Sequence, residues 1–94
     1  MVNVGVVGCG YWGPNYIRLF SELSSSRVTA ACDIDPKRLK GIKRIYPFIK
    51  TSESWFDILK DMEIDAICIA TPASSHYQMA KESLLHEKHV LVEK

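Results

Sequence analysis

Gly8, Gly10 and Gly13 fall in the run Gly8-Cys9-Gly10-Tyr11-Trp12-Gly13, directly after the apolar segment Val2 to Val7, and Asp33 stands twenty residues after the last glycine. Each residue type suits one task in holding a dinucleotide. Gly8 permits a tight turn out of a strand. Gly10 lets the backbone approach a pyrophosphate with no Cβ in the way, and Gly13 lets a helix pack close to the sheet. Free N–H groups at the start of that helix, and its dipole, favour phosphate charge. Asp33 would accept hydrogen bonds from a ribose hydroxyl pair, and its carboxylate would repel a 2′-phosphate, which favours NAD over NADP. No Arg follows Asp33 directly, but Lys37 and Arg38 lie in the next helix and qualify that preference. The alternative is a glycine-rich turn with no ligand; the acid argues against it.

These residues need a strand before the glycines and another before the acid, and the rest of the chain continues the alternation. Residues 2–7 read as a buried strand. Residues 12–24 carry Tyr16, Leu19, Phe20 and Leu23 at helical spacing, with Pro14 in the first turn, where a missing N–H is harmless. Ser24 to Ser26 form a loop, and residues 27–33 a second strand. Asp35 caps a helix with Pro36 at its first position and Leu39, Ile42 and Ile45 facing inward. Gly41 weakens that helix by roughly 1 kcal/mol relative to Ala. Pro47 ends it, and Phe48-Ile49 is a short strand. Ser52 or Ser54 caps a short helix bearing Trp55, Ile58 and Leu59. Residues 65–70 form a strongly apolar strand. Ser74 caps a helix with Met79, Ala80, Ser83 and Leu84 inward, and His89 to Val92 form the last strand.

Apolar strands separated by amphipathic helices predict an α/β fold: a Rossmann-type, doubly wound parallel sheet, ordered 3-2-1-4-5. Ligands bind such sheets outside the carboxyl ends of the strands, between the first and fourth, where the order reverses. The residues expected there are Gly8 to Gly13, Asp33-Ile34-Asp35, Ala70-Thr71-Pro72 and Glu93-Lys94. Tyr11 and Trp12 either pack along the pyrophosphate and nicotinamide or plug the top of the sheet. His76 falls in the first turn of a helix, as a cofactor neighbour or as a capping, partly exposed residue. Lys94 is, by position alone, a solvated lysine; beside a cofactor it could orient a substrate hydroxyl. His86 and His89 read as surface or strand-edge residues.

Composition excludes several classes. Of the 94 residues, 47% are apolar and 24% charged, and the net charge of +1 gives no general attraction to nucleic acid or an anionic membrane. Lys37, Arg38, Lys40, Lys43 and Arg44 fit the wet face of a helix. No apolar run approaches the roughly 20 residues of a membrane span, and a strand starting almost at Met1 leaves no room for a signal peptide. Cys9, Cys32 and Cys68 are odd in number and lack metal-ligand spacing, so no metal is expected and a reducing cytoplasm is.

Four features together are much more specific than the glycines: GVVGCGYWG at 5–13, Asp33, ATPASSH at 70–76 and VLVEK at 90–94. The whole chain resembles the nucleotide-binding half of the glucose–fructose oxidoreductase, inositol dehydrogenase and rhizopine-catabolism (Gfo/Idh/MocA) family. The resemblance implies NAD-dependent hydride transfer from a secondary alcohol of a sugar or polyol. It places Lys94 at the nicotinamide ribose and substrate, His76 near the cofactor and Thr71-Pro72 along the adenosine and phosphate side. Gly-Tyr-Trp-Gly-Pro-Asn at 10–15 resembles the sugar-nucleotide branch. Members carry a second, α+β domain with the substrate pocket and the subunit interface, which is expected to be absent here. Residues 1–94 are therefore expected to form one dinucleotide-binding domain that binds NAD weakly at best and turns nothing over alone. Its last strand, uncovered on one face, would leave an apolar patch and favour self-association into a homo-oligomer. A non-catalytic NAD-sensing module is the competing class; it does not explain Thr-Pro-x-x-x-His or the terminal Glu-Lys.

Overall fold

Five strands and four α-helices alternate along residues 1–93, the residues described in the computed structural model. They are β1 (Val2–Val7), α1 (Gly13–Glu22), β2 (Ser26–Cys32), α2 (Pro36–Ile45), β3 (Lys50–Ser52), α3 (Trp55–Lys60), β4 (Ala66–Ile69), α4 (His76–Leu85) and β5 (His89–Val92), with a 3₁₀ turn at Ala73–Ser75 before α4. The strands are all parallel in the order β3-β2-β1-β4-β5, as predicted.

Apolar side chains on both faces of the strands require cover on both sides, and two cores supply it. Val4, Val6, Val28, Ala31 and Cys68 pack with Ile17 of α1 and Leu39 and Ile42 of α2. Ala30, Cys32, Ile67 and Ile69 pack with Ile58 and Leu59 of α3, flanked by Trp55, Met79 and Ala80. Val28 and Ala31 share a face despite their odd separation. The β1–β2 register slips between Val4 and Gly5 and leaves Thr29 unpaired, which breaks the two-residue alternation.

Several expected positions shift. The third strand is Lys50–Ser52, not Phe48-Ile49: Phe48 is exposed, and Ile49 is buried in the first core just before the pairing begins. Ile45 and Leu84, expected inward, are exposed. Each lies in the last turn of its helix. Ser74 does not cap α4, because the 3₁₀ turn intervenes. On α1 the fully buried residue is Ile17. Tyr16 and Phe20 are half-buried, and Leu19 and Leu23 are exposed. These four and Leu91 line an open apolar groove between α1 and β5, the expected patch beside the last strand.

Candidate cofactor-binding site

The glycine loop is shaped by contacts that exclude side chains. Gly8 has φ +92°, and a Cβ there would meet the Ala70 carbonyl at 2.7 Å, just past the ends of β1 and β4. A Cβ on Gly13 would lie 1.8 Å from the Gly8 carbonyl oxygen, so α1 starts hard against the end of β1. Gly10 differs: the nearest atoms to a Cβ belong to the movable Arg38 guanidinium, at 3.2 Å. α1 has no acid in its first turn and no side-chain cap. The start of α1 therefore keeps its N–H groups free of acidic and capping side chains, which fits a pyrophosphate.

Asp33 ends β2 and ties the loop to it. Its Oδ2 accepts from the Cys9 N–H at 2.7 Å and its Oδ1 from the Asp35 N–H at 2.8 Å. The carboxylate is almost fully buried, and Arg38 Nη1 lies 3.6 Å from Oδ2. A carboxylate offers about four lone-pair sites, so two remain for ribose hydroxyls. Asp35 in turn caps α2 by accepting from the Lys37 N–H at 2.9 Å.

The far wall comes from the end of β4. Ser75 Oγ donates to the Pro72 carbonyl at 2.8 Å and lies 2.6 Å from the Thr71 hydroxyl. His76 Nε2–H donates to the Thr71 carbonyl at 2.6 Å, so the ring pins the Thr-Pro turn and leaves only Nδ1 uncommitted. Between the walls lies a crevice of about 340 Å³, lined by Asp33, Ile34, Trp55, Thr71, Pro72 and Met79 among others. That is near the lower end of the roughly 300–1,000 Å³ of small-molecule sites, room for a nucleoside rather than a whole dinucleotide.

Of the expected site residues, the structure gathers Gly8, Asp33, Ile34, Thr71 and Pro72 at this crevice, with Gly10 and Gly13 in the loop beside it. Tyr11 and Trp12 do not plug the sheet. They are 83% and 50% exposed and stack edge to face, with ring centroids 5.2 Å apart. Glu93 extends the β4–β5 pairing through its N–H to the Ile69 carbonyl at 3.0 Å, and is half-buried. Lys94 lies outside the described residues.

Arg38, Trp55 and Glu53 also line the crevice and were not singled out from the sequence as site residues. Arg38 reads there as part of a wet helix face and, with Lys37, as a qualification of the cofactor preference. Its place in the first turn of α2 was the available signal, since side chains in a helix point back toward the N-terminus, here toward Asp33. Trp55, read as a core residue, donates its indole N–H to Glu82 at 3.2 Å and so braces α3 against α4 beside the crevice.

The three cysteines are buried. Burial first, then the nearby Asp33 charge, pushes the Cys9 thiol up to about 12. Burial likewise raises Cys32 to about 11 and Cys68 to about 12. Thiols so raised stay protonated and unreactive at neutral pH. All three are unpaired. Among the described residues no group of His, Cys, Asp or Glu could hold a metal, and no helix is long and apolar enough to cross a membrane.

Residues 2–94 match the model of the Gfo/Idh/MocA family, described as an oxidoreductase family with an NAD-binding Rossmann fold. The chain is 36% identical over 101 residues to glycosyl hydrolase family 109 protein 2 of Shewanella sp. (strain ANA-3), covering 98% of this chain and 22% of that protein. Scyllo-inositol dehydrogenase from Lactobacillus casei, solved with NAD(H) and scyllo-inositol bound, superposes with a TM-score of 0.93 at 26% identity, over 100% of this chain and 28% of that one. The WlbA dehydrogenase from Bordetella pertussis, in complex with NADH and UDP-GlcNAcA, gives 0.90 at 28% identity, over 99% of this chain and 27% of that one. The chain thus spans between 22% and 28% of the length of these relatives.

Proposed function

The chain belongs to the Gfo/Idh/MocA oxidoreductase family, and from that membership we propose that it forms the cofactor half of a dehydrogenase acting on a secondary alcohol of a polyol, sugar or sugar nucleotide. The observation that carries the reading is the glycine turn at Gly8 meeting Asp33 and the Thr71-Pro72 wall around a nucleoside-sized crevice. It is supported by relatives of the same fold whose structures hold NAD(H) with scyllo-inositol, or NADH with UDP-GlcNAcA.

When bound, NAD supplies the hydride acceptor. The chain's own residues bind and orient. The loop and the start of α1 take the pyrophosphate, and the spare lone pairs of Asp33 take the adenosine ribose. Ile34, Trp55 and Pro72 offer apolar surface to the adenine. His76 keeps the Thr-Pro turn in place through the Thr71 carbonyl. Glu93 follows β5, and the family resemblance assigns Lys94 to orient the substrate hydroxyl and assist its proton. Hydride transfer also needs the substrate held against the nicotinamide face, and the described residues build the nucleotide side of that site. On this reading residues 1–94 taken alone bind NAD weakly at best and turn nothing over. The homo-oligomer is the assembly the family resemblance implies, and a reducing cytoplasm suits three unpaired cysteines.

A second reading rests on the 36% identity to a protein named for glycoside hydrolysis. NAD-dependent glycosidases exist as exceptions to the two-carboxylate mechanism, and transient oxidation of a sugar carbinol would serve bond cleavage there.

Calorimetric titration of the folded chain with NAD, NADP and ADP-ribose tests the cofactor reading; no heat with any of them would sink it. With the full-length protein, NADH accumulating on polyols or sugar nucleotides supports the dehydrogenase. Release of the aglycone from a glycoside with no net NADH supports the glycosidase.

A further inference from the structure

Charge is segregated across the β3 edge of the sheet. Residues 36–50 hold six Lys or Arg and no acid, whereas residues 51–65 hold five Asp or Glu and one Lys. The first stretch contains α2 and the second α3, and these helices cover opposite faces of the sheet. β3 is the edge strand between them. Open grooves run along it on both sides. The groove toward α2, about 250 Å³, has Lys40 and Lys43 in its wall. The groove toward α3, about 390 Å³, has Asp57 and Asp61, with Lys50 and Lys60 offsetting part of their charge.

The same two stretches expose apolar side chains. Phe48 in the first is 69% exposed, and Phe56 in the second is 60% exposed. Apolar side chains flanked by charge are the anatomy of an interface. The strand itself extends a sheet poorly, because β3 pairs over three residues and carries the exposed Lys50. A two-fold axis normal to the sheet would join β3 to a second β3, but it would also set basic α2 against basic α2. A two-fold axis parallel to the strands turns one copy over. It sets α2 against the oppositely charged α3, and the symmetry makes that contact twice.

We propose that the β3 edge is an interaction surface for a second copy of this chain. The two copies lie side by side with opposite faces up, the α2 cations around Lys40 of one facing the α3 acids around Asp57 of the other. Phe48 and Phe56 supply the apolar contact. Complementary charge selects this arrangement over the sheet-extending one, so the association weakens with salt. The surface is separate from the apolar groove between α1 and β5, which lies at the other edge of the sheet.

The test is analytical ultracentrifugation of the chain, for the parent, Lys40→Glu, Asp57→Lys, an equimolar mixture of those two, and Leu91→Lys. Lys40 and Asp57 are exposed, so both reversals leave the core intact. The parent forms a dimer whose dissociation constant rises by about tenfold between about 50 mM and about 500 mM salt. Each reversal alone puts like charges together at both symmetric contacts and weakens the dimer by about tenfold or more. In the mixture, Glu and Lys meet at one contact and Asp and Lys at the other, so the two variants pair with each other as tightly as the parent does. Leu91→Lys changes the groove between α1 and β5 and leaves this dimer as it is. A parent that stays monomeric to about 1 mM would overturn the proposal, and heparin binding by that monomer would give α2 to a polyanion instead. A mixture no tighter than either variant alone would also overturn it. So would a dimer that Leu91→Lys abolishes and the charge reversals leave untouched.

Discussion

The Cys9 N–H donates to the Asp33 carboxylate at 2.7 Å, so the acid at the end of β2 holds the glycine loop at the end of β1. Asp33 is therefore part of the scaffold as well as a proposed ribose acceptor. Its second oxygen fixes the turn into α2 through the Asp35 N–H. One carboxylate thus sets the relative position of two strand ends that the proposed cofactor must bridge.

Replacing Asp33 has two separable effects. Asp33→Ala strands two N–H donors, one of them at a buried residue, and is expected to cost about 2–4 kcal/mol, since each lost partner leaves a desolvated donor worth about 1–3 kcal/mol. Urea unfolding measures this. Asp33→Ser, with one short acceptor, weakens NAD binding and narrows the preference over NADP, read by calorimetry. A variant binding NAD as tightly as the parent would remove Asp33 from the ribose site.

Two glycines should respond in opposite directions to alanine. At Gly13 the added Cβ would overlap the Gly8 carbonyl oxygen at 1.8 Å, both backbone-bound, so α1 must shift off the sheet. Gly13→Ala should cost more than about 3 kcal/mol, at the severe end of overpacking. Gly41 meets nothing within 4 Å and sits mid-helix in α2. Gly41→Ala should stabilise by up to about 1 kcal/mol through helix propensity. Thermal melts of the two variants check both signs.

Lys88 is buried and donates from Nζ to the Asp61 and Ile64 carbonyls, each at 2.8 Å. It joins the start of β5 to the turn before β4, at the end of the sheet away from the crevice. Lys88→Met strands both carbonyls and should destabilise by about 1–3 kcal/mol. Because the change is remote from the glycine loop, NAD affinity measured on the folded fraction should stay that of the parent.

The buried thiols set a high-pH limit. In the folded chain Cys9, Cys32 and Cys68 are raised from 9.0 to about 12, 11 and 12. Folding favours their protonated forms, so their contribution is complete below the unfolded value and declines as pH rises from 9 toward 12. Urea midpoints should hold from neutral pH to about 9 and fall above it. Alkylation at pH 8 should be slow in the native chain and rapid once it is unfolded. Fast native labelling of any of the three would contradict the burial argument.

The local pattern made much of this site legible. Strand, glycine turn, helix and acid are each written in a short window, and Thr71-Pro72 and Glu93 follow the same rule at other strand ends. Arg38 was harder to read, because its helix carries five basic residues and only the turn of α2 separates the one that faces Asp33 from those that face water. Tyr11 and Trp12 were undecidable by type, since an aromatic residue suits a plug or an exposed rim equally; their exposure settles it against the plug.

By itself the sequence determined the βα alternation, the parallel order β3-β2-β1-β4-β5 and the end of the sheet where the loop, the acid and the Thr-Pro turn gather. Those follow from local periodicity, turn chemistry and crossover handedness. Only the tertiary structure decided which residues close the site. The slip at Thr29 reverses which faces the rest of β2 presents, the 3₁₀ turn brings His76 onto the Thr71 carbonyl, and the first turn of α2 lays Arg38 across Asp33 and Gly10. Each of these is a contact or a register between segments far apart in the chain or bent out of regular period, and no pattern confined to one segment encodes it.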